Sequence, residues 1–436
     1  MMKHMPMTML VVIVVFACKK DEPIQPHVPT IQLSFEDASC TEVWLKVSLS
    51  DAGEPRTVAI QQDGERVAVS RLLSPDSVFV IEGLLPRHQY TFLAERLRDS
   101  TAIDASTAVQ ATTMDTTSHN FVFQIDTLGV TSSVLYDVAI INDTLAYAVG
   151  EMYLRDSTGQ LDPLLYNLAK WNGHQWELKR VTVTFRGSQV TVPLEGIFAH
   201  SAMDIWLAGS IPIHGDGMNW VGYDIQTLVG VGATVSKIWG TQSEMCFVGR
   251  AGNIIHYASG TWQRVESGTM LDVQDVWGAM DPQTNSQIVL CIASNRLTNQ
   301  GRRVIGIVNN ASTTLPDSGL PWSVRSLWFE SHKYYVAGDG LFVTNSLAAH
   351  AIWRSFHNGL TPYYSNVIRG QAVNDIVVGG SFGDLLHFNG ASWRRYTGSG
   401  VPSLDGSYYG AAIRGNTIMA VGMVGSRAVV LRGTRP

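Results

Sequence analysis

One stretch, VSKIWGTQSEMCFVGRAGNIIHYASGTWQRVESG at residues 235–268, constrains the fold more than any other part of the chain. It holds four short runs rich in Val, Ile, Trp and Tyr: Val235–Trp239, Glu244–Val248, Asn253–Tyr257 and Trp262–Val265. Gly249 and Gly260 close two of them. Such runs between Gly-containing turns predict strands joined by hairpins. A four-stranded meander of about 40 residues leaves both of its faces uncovered, so it needs neighbours of the same kind.

The neighbours are in the sequence. First strands are expected to start near Val134, Leu194, Val235, Val273, Val324, Asn366 and Tyr408. Second strands end on an apolar pair and a glycine, as in Ala148-Val149-Gly150, Leu207-Ala208-Gly209, Phe247-Val248-Gly249 and Ala420-Val421-Gly422. The fourth repeat departs from this with Ile292-Ala293-Ser294. Tryptophan marks the fourth strands, at Trp176, Trp262, Trp353 and Trp393. The last repeat supplies only three strands, Tyr408–Ile413, Thr417–Val421 and Arg427–Leu431, whereas Asn120–Leu128 is a strand with no repeat of its own. Pairing the spare strand with the incomplete repeat closes a ring and removes its open edges. The expectation is a seven-bladed β-propeller over residues 119–436, closed by a strand from its N-terminal side. Val378 to Trp393, VGGSFGDLLHFNGASW, is the clearest copy of a repeat that resembles those of photosystem II assembly factors and BNR-like proteins. The resemblance implies the fold, and it suggests an assembly factor for an envelope complex as one function.

Residues 30–113 read as a separate strand-rich module. Apolar runs at Ile31–Phe35, Val43–Leu49, Thr57–Gln61, Val78–Ile81, Tyr90–Ala94 and Ala108–Ala111 alternate with turns at Asp51-Ala52-Gly53, Asp63-Gly64 and Ser74-Pro75-Asp76. This spacing predicts a β-sandwich. Gly83 to Phe92, GLLPRHQYTF, resembles the signature of fibronectin type III modules, and the resemblance gives Tyr90 the corner role, its hydroxyl returning to the backbone. Trp44 departs from that family by falling in the middle of its run. The whole is therefore expected to be all-β, a fibronectin type III-like sandwich followed by the propeller.

The N-terminus predicts an address. Lys3 and His4 precede the apolar run Leu10–Ala17, which is too short to span a bilayer as a mature helix. Val15-Phe16-Ala17-Cys18 then resembles a bacterial lipobox, which implies a signal peptide over 1–17 and acylation of Cys18. Residues 18–29, with three prolines and four charges, are expected to form an extended tether. Lys19-Lys20-Asp21-Glu22 resembles the charged signals that follow this cysteine in surface lipoproteins of Bacteroidetes-type bacteria. The expected location is the cell envelope, anchored by lipid to the outer membrane on its periplasmic or outer side. Of the other cysteines, Cys40, Cys246 and Cys291, the last two fall on apolar strand runs and are expected as buried small hydrophobes.

Little points to chemistry. The net charge is −6 with 31 Lys and Arg, which leaves no basic excess for nucleic acid. The Asp-box turns and arginine triad of sialidase-like propellers do not appear: the corresponding turns read Ala258-Ser259-Gly260-Thr261-Trp262 and Asn389-Gly390-Ala391-Ser392-Trp393. His200, His214 and Asp216 match no metal-ligand spacing. Asp137 and Asp275, on first strands, are candidates for an acid and a base in the channel, or for hydrogen bonds between blades. No cofactor is expected. Loops between second and third strands, and between blades, emerge on one face. Two of them read as insertions, Gly150–Tyr166 with Glu151, Arg155 and Asp156, and Gly209–Tyr223. Trp220, Tyr223, Tyr363 and Tyr364 are the expected ligand-binding residues, sharing one rim and stacking on a glycan or anchoring a peptide. The function expected is a monomeric, non-enzymatic, lipid-anchored protein that presents its propeller to a protein or glycan. A polysaccharide hydrolase or lyase is the alternative.

Overall fold

A computed structural model describes residues 30–50, 56–230, 232, 234–280, 286–295, 301–356, 359–398, 401 and 405–436. The expected signal segment, the anchor Cys18 and the tether lie outside the described residues. Two compact units result. Among the described residues, one takes those of 30–34, 47–77 and 92–109; the other takes those of 35–46, 78–91 and 110–436.

Residues 30–113 form two sheets. Ile31–Ala38, Glu42–Leu49 and Asp76–Glu82 make one; Glu65–Arg71, Thr57–Gln62, Gln89–Arg98 and Thr101–Ala105 make the other, with Val109–Thr112 also paired to Gln89–Arg98. The strand Gln89–Arg98 shows the period-two pattern that sets register: Tyr90, Phe92 and Ala94 are buried while Gln89 and Thr91 are exposed. The Leu85 N–H donates to the Tyr90 hydroxyl at 2.8 Å, which is the corner contact expected of that tyrosine.

The remainder is a propeller of seven four-stranded antiparallel sheets. The first strands are Val134–Asn142, Leu194–Ser201, Val235–Gly240, Val273–Met280, Val324–Glu330, Ser365–Ala372 and Gly406–Arg414. Each lies beside the first strand of the next blade, and the seventh lies beside the first, so they form a closed ring. The seventh blade has three strands of its own and takes its outer one from Val122–Leu128, with Ile125 opposite Leu431 and Phe123 opposite Gly433. The core runs between blades. Cys246 and Cys291 are buried free thiols in the apolar cluster shared by blades three and four, and burial pushes the Cys291 thiol well up.

The recurrent glycine at the end of the second strand has a steric cause. A Cβ at Gly249 would strike the Thr234 carbonyl, and one at Gly422 would strike the Ser407 carbonyl. In six of the seven blades the backbone just before or at the start of the first strand presses on this position, which leaves no room for a side chain. In blade four Ala293 stands at this place, opposite Val273, and the next residue, Ser294, donates its hydroxyl to the Val324 carbonyl at 2.6 Å.

Two readings of the repeats need correction. Gly209–Tyr223 is not a loop insertion: Pro212–Gly215 and Trp220–Gly222 are the third and fourth strands of blade two. Its glycines suggested a loop, but Ile211 and Ile213 alternate into the core, and Pro212 opens a strand, where a missing N–H is tolerated. The chain inserted here is a hairpin between blades one and two, Val183–Phe185 with Ser188–Val190. Trp353 precedes the two-residue outer strand Arg354–Ser355 of blade five; it is buried, and its indole N–H donates to the Pro316 carbonyl at 3.0 Å.

Candidate functional site at the channel mouth

All seven first strands carry a β-bulge at the same place. In blade three Val235 pairs with Gly249 and Lys237 with Val248, which leaves Ser236 as the extra residue. The same slip occurs between Leu135 and Asp137, Leu194 and Gly196, Val273 and Asp275, Val324 and Ser326, Ser365 and Val367, and Tyr408 and Gly410. A bulge leaves one residue outside the ladder and re-aims its side chain. The extra residues, in blade order, are Tyr136, Glu195, Ser236, Gln274, Arg325, Asn366 and Tyr409. Six of these seven line a cavity of about 530 Å³, together with Lys237, Arg250, Asp272 and Asn295. Asn366 instead donates its amide to the Tyr408 carbonyl at 3.0 Å. The cavity is the mouth of the central channel, on the face where second strands end and first strands begin.

The residue after each bulge builds the floor. This position reads Asp137, Gly196, Lys237, Asp275, Ser326, Val367 and Gly410 around the ring. Lys237 donates to Asp137 at 2.9 Å, passing the strand that holds Gly196. Gly196 permits this, since a Cβ there would press on the Ser236 carbonyl. Asp275 receives Arg369 in two bonds of 2.7 and 2.8 Å, the Ser326 hydroxyl at 2.6 Å and the Leu327 N–H at 3.0 Å. Burial opposes ionisation of Asp275, yet the charge and hydrogen bonds of Arg369 outweigh it and hold the carboxyl below its usual range. Both aspartates are thus committed to ion pairs between blades. They fill the hydrogen-bonding role weighed for them rather than that of an acid and a base. Below the floor the channel opens into a cavity of about 240 Å³, lined in part by Ile140, Ile197, Ile238, Trp277 and Ile413 and also by Asp137, Arg369 and Arg414.

At the mouth, charge is divided between two arcs. Tyr409, Tyr136 and Glu195 follow one another on blades seven, one and two. Gln274 and Arg325 follow one another on blades four and five and bond to each other. Gly410 lets the first arc close up, because a Cβ there would strike the backbone of Tyr136 and Asp137. The Tyr136 and Tyr409 rings lie 6.2 Å apart, tilted by 41°. Tyr136 donates to Glu151 at 2.9 Å. Its phenol is pushed up by burial first and by Glu151 and Glu195 after that. Among the described residues the side chains of Glu195, Arg250 and Tyr409 make no hydrogen bond.

The four aromatic residues expected to share one rim are not brought together. Trp220 sits opposite Gly215 beside the turn between the third and fourth strands, and that turn lies next to Ala202 in the turn between the first and second. Those turns emerge on the face away from the mouth. Tyr223, half-buried, stacks on Trp206 and packs at a tilt on Trp262, against the core of blades two and three. Tyr363 and Tyr364 do lie on the mouth face, where the Tyr364 carbonyl receives the Ser381 N–H. The Tyr364 hydroxyl bonds to Ser323 at 2.9 Å, and Tyr363 packs 4.9 Å from Phe382. The 153–165 segment of blade one does lie between second and third strands, as expected. There Asp156 accepts the N–H groups of Thr158 and Gln160, and Arg155 donates to the Gly159 carbonyl, so these side chains hold the loop itself. Of the three residues weighed as metal ligands, His214 bonds to Asp204 at 2.9 Å over the Trp206 ring and Asp216 accepts from its own turn. Among the described residues no group of three or more His, Cys, Asp or Glu is placed to hold a metal.

A second cluster had no sequence motif. His119, just before the closing strand, faces His387 through their Nδ1 atoms at 2.8 Å. His387 Nε2 bonds to Asp375 at 2.7 Å, and Arg435 and Gln371 complete the aspartate. His119 Nε2 lies 3.2 Å from the Ser392 hydroxyl. The residue types are those of a serine hydrolase, but the arrangement is that of a latch. The Ser392 hydroxyl donates to Asn389 and so does not give its proton to His119, and the Ser392 N–H also goes to Asn389 rather than to an oxyanion.

No family model and no curated protein matches the chain. Solved structures do match in fold. YCF48 bound to a D1 peptide gives a TM-score of 0.54 at 12% identity, covering 72% of this chain and 96% of that one. The WD40 β-propeller domain of Doa1 gives 0.52 at 15%, covering 72% and 97%. YCF48 from Cyanidioschyzon merolae gives 0.50 at 15%, covering 71% and 98%. At such identities the likeness is one of fold.

Proposed function

We propose that the chain is an exported, lipid-anchored, non-catalytic protein whose propeller holds a segment of another protein at the channel mouth, as a scaffold or assembly factor in the cell envelope. The observation that carries this reading is the ring of bulge residues. Seven strands each spend one residue outside the ladder at the same height, and six of the seven side chains face one cavity. A ring of fixed, chemically varied side chains around a concave mouth suits recognition. Catalysis has less support, because Asp137 and Asp275 are held in ion pairs. Solved YCF48 carries a D1 peptide on the same architecture, which favours a protein segment as the kind of partner. In this reading Cys18 carries the lipid, and residues 30–113 are a fibronectin type III-like module that lies between the anchor and the propeller in the sequence.

The test is affinity capture from detergent-solubilised envelope, with wild-type protein and with Tyr409→Ala and Arg250→Ala. The same protein should be captured stoichiometrically by the wild type and lost in both variants, with melting unchanged. Capture that survives both substitutions contradicts the assignment of the site.

A further inference from the structure

We infer that the arc formed by Tyr409, Tyr136 and Glu195 is a subsite for a cationic side chain, lysine or arginine, on the docking segment. The inference rests on the reading that the mouth binds a protein segment, and it adds which group enters and where. Glu195 carries a carboxylate that no described residue bonds. It sits at the cavity beside two tyrosine rings 6.2 Å apart. A carboxylate with aromatic rings on one side of it attracts an ammonium or guanidinium through charge and through the ring quadrupole. Glu151 stands behind Tyr136 and accepts its hydroxyl at 2.9 Å, which fixes that ring and adds negative charge.

The other charges at the mouth agree with this polarity. The cation nearest the floor, Lys237, is neutralised by Asp137 at 2.9 Å. Arg325 lies across the ring, tied to Gln274. Arg250 is exposed at the end of the second strand of blade three, and Asp272 accepts the neighbouring Ala251 N–H at 2.9 Å. A segment bringing a cation to Glu195 therefore turns carbonyl oxygens or a carboxylate toward Arg250 and Arg325. An acidic side chain at the first arc would meet an uncompensated carboxylate instead.

The test uses two small probes on the purified mature chain, Nα-acetyl-lysine N-methylamide and its norleucine analogue, titrated by NMR. The lysine probe is expected to bind about tenfold more tightly, as a charge-assisted contact with a flanking aromatic face provides. Glu195→Gln should erase that tenfold preference while the melting temperature stays unchanged. Tyr409→Leu, a second variant on a different strand, should reduce it several-fold. Equal binding of the two probes, or a lysine preference that survives Glu195→Gln, overturns the inference. A partner captured by the wild type without any lysine preference overturns the subsite alone and leaves the protein-binding reading in place. A lysine preference without a captured partner does the reverse.

Discussion

Asp275 on blade four and Arg369 on blade six meet in two parallel hydrogen bonds that span the inner strand of blade five. Ser326 of that strand donates to the same aspartate, so three blades are tied at one point. Asp275 is only 1% exposed. Removing one member of a buried pair leaves the other charged and unsolvated, which costs about 3–5 kcal/mol. Arg369→Leu is therefore expected to lower the stability of the propeller by that order in urea unfolding. Asp275→Leu combined with Arg369→Met should recover much of the loss. A single variant with the wild-type midpoint would refute the inter-blade role.

The closing strand gives the second prediction. Val122–Leu128 covers the edge of Arg427–Thr434 along its length. Deleting 120–128 uncovers a full row of backbone donors and acceptors, and uncovered edges pair with other chains. The deletion variant should melt earlier and aggregate on heating. A variant that melts like the wild type would show that the ring closes without this strand.

The His119 latch predicts a pH dependence. Burial, then the charges of His387 and Arg394, push His119 down from 6.5 to about 4. Between those values the unfolded chain binds a proton that the folded chain refuses. Stability from this site is thus fully present above pH 6.5 and lost as the pH falls toward 4. Thermal melts of wild type and His119→Asn should differ in slope across that window, the variant losing less on acidification. Parallel curves would show that the histidine pair carries no proton linkage.

The anchor gives the fourth. Cys18→Ala should move the protein out of the membrane fraction or block its processing, because the acyl chains on this cysteine are its expected hold on the bilayer. Membrane partitioning and mature mass that match the wild type would sink the lipoprotein reading.

Much of the ring is legible in the sequence. The glycine at the end of six of the seven second strands and the unpaired strand at 120–128 carry the blade number, because each leaves a mark at a fixed place in the repeat. The mouth was not legible. A bulge is a property of register between two strands, and nothing in Val235-Ser236-Lys237 alone says that Ser236 is the extra residue. Aromatic residues on expected loops drew attention instead, and Trp220 proved to lie on the outer strand of blade two, with Tyr223 just after it packed against the core. The pairs Asp137–Lys237 and Asp275–Arg369 join residues about a hundred positions apart, so no local pattern announces them. The His119–His387 latch is hidden for the same reason. Its one local signal is a histidine in the polar joint ahead of a strand.

The central claim is that the mouth, and not the opposite face, holds the partner. Photo-crosslinking in the native envelope tests it most directly. A benzoylphenylalanine at position 250 samples the mouth, and one at Met203, an exposed residue in a turn of the opposite face, is the control. The account predicts one discrete protein adduct from position 250 and none from position 203. An adduct from position 203 with none from position 250 would contradict it.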